Sequence, residues 1–156
     1  MTNHRGGNRN NEMQKNVQTP PNIAFYINNK LNPDLFSDVA EKWARTIGDA
    51  GKLGKNKNKN KNKNSQIHRF YGEVLRFQDQ IREHPDRFDN LLPYLYMLRA
   101  RTAYAEARLH VTWHFSDFIN NCLNEIKKKE ESQTVDIFAS FFEAFMGFYK
   151  KYSPAE

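Results

Sequence analysis

The 156-residue sequence has a single cysteine, Cys122. One thiol cannot build a disulfide framework within the chain, nor a thiolate metal knuckle. Glycine and proline are scarce, at seven and six residues, which argues against a sandwich or barrel with its many turns. No apolar run approaches the roughly 18 residues of a membrane-spanning helix. The N-terminus has no apolar signal-peptide core. A cytoplasmic protein without membrane contact is therefore expected. What the chain does have is aromatic mass: 12 Phe, 7 Tyr and 2 Trp. That is enough to bury a core and to exclude a fully disordered chain. The length suits one ordinary domain.

Positive charge is in excess, with 24 Lys and Arg against 18 Asp and Glu. It is also uneven. Residues 51–64 carry six lysines and no acid, whereas residues 65–156 carry 12 bases against 13 acids. A basic stretch in an otherwise neutral protein points to a polyanionic partner, nucleic acid or an acidic surface. Lys55 to Asn64 alternates Lys and Asn through five repeats. Without apolar residues and with self-repelling charge, it is expected to be an extended, solvated loop. One reading is a repeat that a surface loop tolerates cheaply; the other is a flexible phosphate tether. Residues 1–22 lack apolar spacing and end in Pro20-Pro21, so a mobile tail is expected. The domain plan is a polar tail over 1–30, one helical domain over 31–152 with 51–64 as a basic loop, and a short tail over 153–156.

Periodicity predicts an all-α, compact bundle of about five helices. Asn32 is placed as N-cap with Pro33 at the first helical position, and Gly48 as the stop. Leu35, Phe36, Val39, Ala40, Trp43, Ala44 and Ile47 form the first apolar stripe. Ser65 is placed as the cap of the second helix, with a seam at Ile67, Phe70, Val74, Phe77 and Ile81. The third seam is Leu91, Leu95, Leu98, Thr102, Ala105 and Leu109, with Pro93 in its first turn; the fourth is Val111, Phe115, Phe118, Ile119, Cys122 and Ile126. The fifth helix carries seven rings from Phe138 to Tyr152 within an arc of about 120°. No stretch alternates long enough to predict a strand.

Arginine usage is the first chemical signal. Residues 65–108 hold seven arginines and no lysine. Guanidinium forks two hydrogen bonds onto one phosphate and stacks on flat rings, which ammonium does not. Arg69 and Arg76 are seven apart, as are Arg101 and Arg108, so each pair lies on one helix stripe about 10 Å long. Tyr94, Met97 and Tyr104 share the stripe of Arg101 and Arg108. A single strand could lay phosphates on these arginines and stack a base on a ring. The competing reading pairs them with neighbours, Arg69 with Glu73 and Arg82 with Asp86, and lets Arg101 and Arg108 snorkel at the core edge. The second signal is His110, His114 and Asp117 at i, i+4 and i+7. That spacing could offer two imidazoles and a carboxylate to a metal in a hydrolase, but no glutamate base accompanies it. No metal site and no cofactor is expected. Cys122 reads as a small core residue.

Three stretches, in order, resemble the small subunit of type III-A CRISPR effector (Csm) complexes. They are Ser65-Gln66-Ile67-His68-Arg69-Phe70-Tyr71, Leu92-Pro93-Tyr94 with Met97 to Arg101 and Tyr104-Ala105, and Phe141 to Phe145 with Tyr149 to Tyr152. The resemblance spans about residues 35–152. It implies a non-catalytic helical bundle stacked in several copies as an inner filament. Its partners would be guide RNA and target RNA, the backbone repeat subunits, the large polymerase-like subunit and copies of itself. It implies contact with the sugar-phosphate of the guide–target duplex without base reading. Carried over, the RNA-binding positions are Lys52, Gln66, Arg69, Arg76, Arg99, Arg101 and Arg108. The Lys-Asn loop departs from the family's usual shorter loop, and His68 stands where a cation is common. A stand-alone adaptor that binds only protein is the competing function, and a metal hydrolase the third.

Overall fold

The computed structural model describes residues 19–53 and 59–156. A small hairpin comes first, with β1 at Tyr26–Ile27 and β2 at Lys30–Leu31. Asn28 and Asn29 join them at φ of 52° and 63°. Two successive residues at positive φ make a type I′ turn, whose twist matches the paired strands and which asparagine tolerates. Asn32 then anchors the hairpin to the first helix. Its Nδ2 donates to the Ala24 carbonyl at 2.9 Å, and its Oδ1 accepts the Asp34 N–H at 3.0 Å, an Asx turn rather than the predicted helix cap. The helix starts at Leu35, and its N-cap is Asp34, which makes no side-chain capping bond.

One π-helical turn, Leu35–Val39, runs into α1, Ala40–Gly51. Next come α2, Asn64–Glu83, a 3₁₀ turn at Pro85–Arg87, and α3, Phe88–Tyr96. Met97 separates α3 from α4, Leu98–Ala107. The last two are α5, Trp113–Lys128, and α6, Ser132–Tyr152. The protein is all-α apart from the hairpin, and the third predicted helix is broken in two. Phe118, Phe141, Phe142 and Phe145 stack into the centre, with Phe118 and Phe145 ring centroids 4.6 Å apart. Cys122 is fully buried, and that burial pushes its thiol pKa well up, which fits a core residue.

Several expected boundaries move. The packed structure begins before residue 31. Ile23 and Phe25 are buried, the Phe25 N–H donates to Glu125 Oε1 at 2.8 Å, and Trp43 Nε1 donates to the Pro21 carbonyl at 2.8 Å. Residues 1–18 of the expected tail lie outside the described residues. Residues 153–156 are not a loose tail either, because Pro154 is buried and Glu156 is hydrogen-bonded to Ser65. Gly48 does not stop the first helix, which continues to Gly51. A Cβ at Gly48 would run into the Tyr152 carbonyl, so its bare Cα is what lets α1 approach the end of α6. Pro93 sits inside α3, not in its first turn. Leu109 is 64% exposed at φ 64°, so the third seam ends at Ala105.

Candidate nucleic-acid interface

The second half of the Lys-Asn repeat is not a solvated loop. The Lys61 N–H donates to the Gly51 carbonyl at 2.9 Å, and the Asn62 N–H to the His110 carbonyl at 2.9 Å. Asn62 is fully buried. Asn60 Oδ1 accepts the Leu53 N–H at 3.0 Å. Residues 54–58, with Lys55 and Lys57, lie outside the described residues. Lys59, Lys61 and Lys63 line a groove of about 640 Å³ with Gln66, Leu109 and His110.

Gln66 leads from that groove onto α2. Gln66, Arg69, Glu73 and Arg76 fall at i, i+3, i+7 and i+10, one stripe of the helix. Arg69 and Arg76 are exposed and make no ion pair or side-chain hydrogen bond among the described residues. The expected Arg69–Glu73 pair is absent because Glu73 faces another guanidinium. Arg101 Nη1 on α4 lies 2.6 Å from Glu73 Oε2. That contact, the Asn62–His110 bond and the short turn at 84–87 fix α2 antiparallel to α3 and α4. Arg101 is thereby set against the α2 stripe between Arg69 and Arg76. Likewise Arg82 pairs not with Asp86 but with Asp136, at 3.4 Å.

The remaining predicted positions spread outward from this centre. Arg108 Nη1 donates to the Tyr104 hydroxyl at 3.0 Å, and its guanidinium lies 5.6 Å from that ring's centroid. Arg99 is exposed, with no side-chain partner among the described residues. Lys52, just after α1, has its Nζ 3.4 Å from Asp49 Oδ1. Tyr94 and Tyr104 are 61% and 63% exposed, so the rings of the α3–α4 stripe are available for stacking.

The histidine constellation does not assemble. His110 lies in the bend before α5, which starts at Trp113. His114 stacks on Trp113 with centroids 3.8 Å apart, and its Nδ1 lies 3.1 Å from Thr112 Oγ1. Burial lowers its pKa, partly offset by Asp117. Among the described residues, no group of three His, Cys, Asp or Glu could hold a metal ion. None of the helices among the described residues is long and apolar enough to cross a membrane. The groove role of His110 and the Glu156 contact at Ser65 were not read from the sequence, since both depend on segments distant in the chain that the fold brings together.

What results is a small, mostly helical protein with exposed arginines on α2 and α4 beside a lysine-lined groove. Residues 40–155 match the family described as Csm2 Type III-A. The chain belongs to that family and is a small subunit of a type III-A CRISPR effector (Csm) complex, assembled with other subunits. No curated protein and no solved structure matches the chain.

Proposed function

We propose that this subunit grips the sugar-phosphate backbone of the guide–target RNA duplex without reading sequence and without catalysis. Copies of it form an inner filament beside the backbone repeat subunits and the large polymerase-like subunit, in the cytoplasm, in antiviral defence. The observation that carries this reading is the placement of Arg69, Arg76 and Arg101. Arg101 of α4 pairs with Glu73, which lies between Arg69 and Arg76 on one stripe of α2. Neither of those two arginines has an ion-pair partner among the described residues, which leaves net positive charge on the strip. Arg108 extends the strip along α4, and Gln66, Lys52 and the groove lysines extend it past the start of α2. Arg99 stands on the other flank of α4, about 160° around the helix from Arg101. Guide pairing carries sequence, so the protein needs only backbone contacts. The exposed rings favour a second reading, an adaptor that binds only protein.

Filter binding with labelled single-stranded RNAs of unrelated sequence tests the proposal. Arg69→Ala weakens binding to all of them alike, and its salt dependence falls by roughly 0.7 in logarithmic slope for one lost contact on a single strand. Loss confined to one sequence contradicts it, and RNA binding absent from the wild-type chain favours the adaptor.

A further inference from the structure

The side chain of Glu156 is docked rather than free. Its carboxylate accepts the Ser65 N–H at 3.0 Å and the Ser65 hydroxyl at 2.8 Å. Ser65 is the second residue of the twenty-residue α2, so the acceptor sits where the helix leaves N–H groups unpaired and carries partial positive charge. The approach of the chain to this point is also fixed. After α6 ends at Tyr152, Pro154 is buried and Asn60 Nδ2 donates to the Ala155 carbonyl at 3.2 Å. Residues 153–156 thus form a strap along the lysine-bearing loop, at the edge of the groove that Lys59, Lys61, Lys63 and Gln66 line. The charge of Glu156 reaches the Tyr149 hydroxyl, whose pKa burial and this carboxylate together push up.

A backbone N–H and a hydroxyl at a helix start, beside a groove with three lysines, form a donor set suited to phosphate oxygens. In this structure the donors are filled by an acid from the chain itself. We propose that the Glu156 carboxylate holds the place of an RNA phosphate at the start of α2, so that the strap and RNA compete for one position. Both hydrogen bonds are exposed, so an arriving phosphate displaces a contact that water already weakens. The strap tempers the affinity of the unloaded subunit and gives way where the strand is laid down. This inference rests on the RNA-backbone reading above.

The test uses the full chain, a labelled oligouridylate and filter binding at low salt. Glu156→Gln keeps the side-chain shape and removes its charge. It is expected to bind about two- to fivefold more tightly than wild type, with the gap closing as salt rises. Glu156→Ala shifts affinity in the same direction, and circular dichroism of both variants confirms the helices. If both variants bind no better than wild type while Arg69→Ala binds worse, Glu156 is a helix cap only and the competition is refuted. If Arg69→Ala binds as wild type does, the RNA-backbone reading itself falls, and this inference with it.

Discussion

Asn62 and Thr112 grip each other through both ends of the asparagine amide. The Thr112 N–H donates to Asn62 Oδ1 at 2.8 Å, and Asn62 Nδ2 donates to Thr112 Oγ1 at 2.8 Å. The same Nδ2 reaches the Ile47 carbonyl at 3.0 Å, and the Asn62 carbonyl accepts the Tyr149 hydroxyl. One residue therefore joins α1, the bend before α5 and α6, at φ 56° and with no solvent exposure. Asn62→Ala strands the Thr112 N–H and removes the cross-link to the Ile47 carbonyl. The expected cost is about 3 kcal/mol in urea denaturation. Asn62→Asp costs at least as much, because a buried carboxylate would face the Ile47 carbonyl. Asn60→Ala, at a half-buried site whose two hydrogen bonds are exposed, costs under about 1 kcal/mol.

That contrast shows where sequence reading stops. Five asparagines of the repeat look alike, and nothing local marks the one that enters the core. Helix positions were legible because burial imposes a 3.6-residue period: Ile67, Val74, Phe115, Phe118, Phe138 and Phe145 are all buried. The hairpin was missed because two-residue strands cannot show alternation, although Asn28-Asn29 is the turn signal that could have found it. Phe25 was missed because the apolar run Ile23-Ala24-Phe25-Tyr26-Ile27 is too short to show a helical period and its backbone N–H is held by Glu125, one hundred residues on. Among the site residues, the sequence places Arg69 and Arg76 on one stripe. Only the fold brings Arg101 to Glu73, since the partner choice is a long-range fact.

Two glycines should respond in opposite directions. At Gly48 an added Cβ meets the Tyr152 backbone, which cannot swing aside as a side chain can. Gly48→Ala is expected to destabilise by about 1–3 kcal/mol, as overpacking does. At Gly72, inside α2, an added Cβ meets nothing within 4 Å. Gly72→Ala should stabilise by about 0.5–1 kcal/mol, because alanine restricts the unfolded chain and favours helix. Urea midpoints of the two variants at constant m decide the matter, and equal shifts of the same sign contradict it.

His114 gives stability a pH dependence of known sign. Burial lowers its pKa below the ordinary 6.5, and Asp117 only partly restores it. The unfolded chain therefore binds a proton at higher pH than the folded chain does. Stability from the neutral ring is complete above about pH 7.5 and declines as pH falls through the ordinary value toward the folded one. The unfolding free energy should be higher at about pH 7.5 than at about pH 5. In His114→Gln that fall should be smaller, since the substituted residue does not titrate. A variant whose pH profile parallels the wild type would show that His114 does not carry the effect.

The Glu73–Arg101 pair makes stability and RNA affinity separable. Half of the Arg101 side chain and a quarter of that of Glu73 are exposed, at 48% and 24%. Solvent screens Arg101, but Glu73 Oε2 itself is buried, so breaking the pair by removing Arg101 should cost about 1–2 kcal/mol of stability. The pair also has an electrostatic role on the basic strip. Glu73 cancels one positive charge among Arg69, Arg76 and Arg101, so Glu73→Gln is expected to raise affinity for single-stranded RNA about two- to fivefold at low salt. Arg101→Ala should lower it by a similar factor. In Glu73→Gln/Arg101→Ala one charge of each sign is gone, so affinity should return near the wild-type value if phosphate attraction follows net charge. A double variant as weak as Arg101→Ala alone would instead assign Arg101 a directed contact that charge elsewhere on the strip cannot replace. Filter binding over a salt series, with urea denaturation of the same four proteins, separates these outcomes from loss of fold.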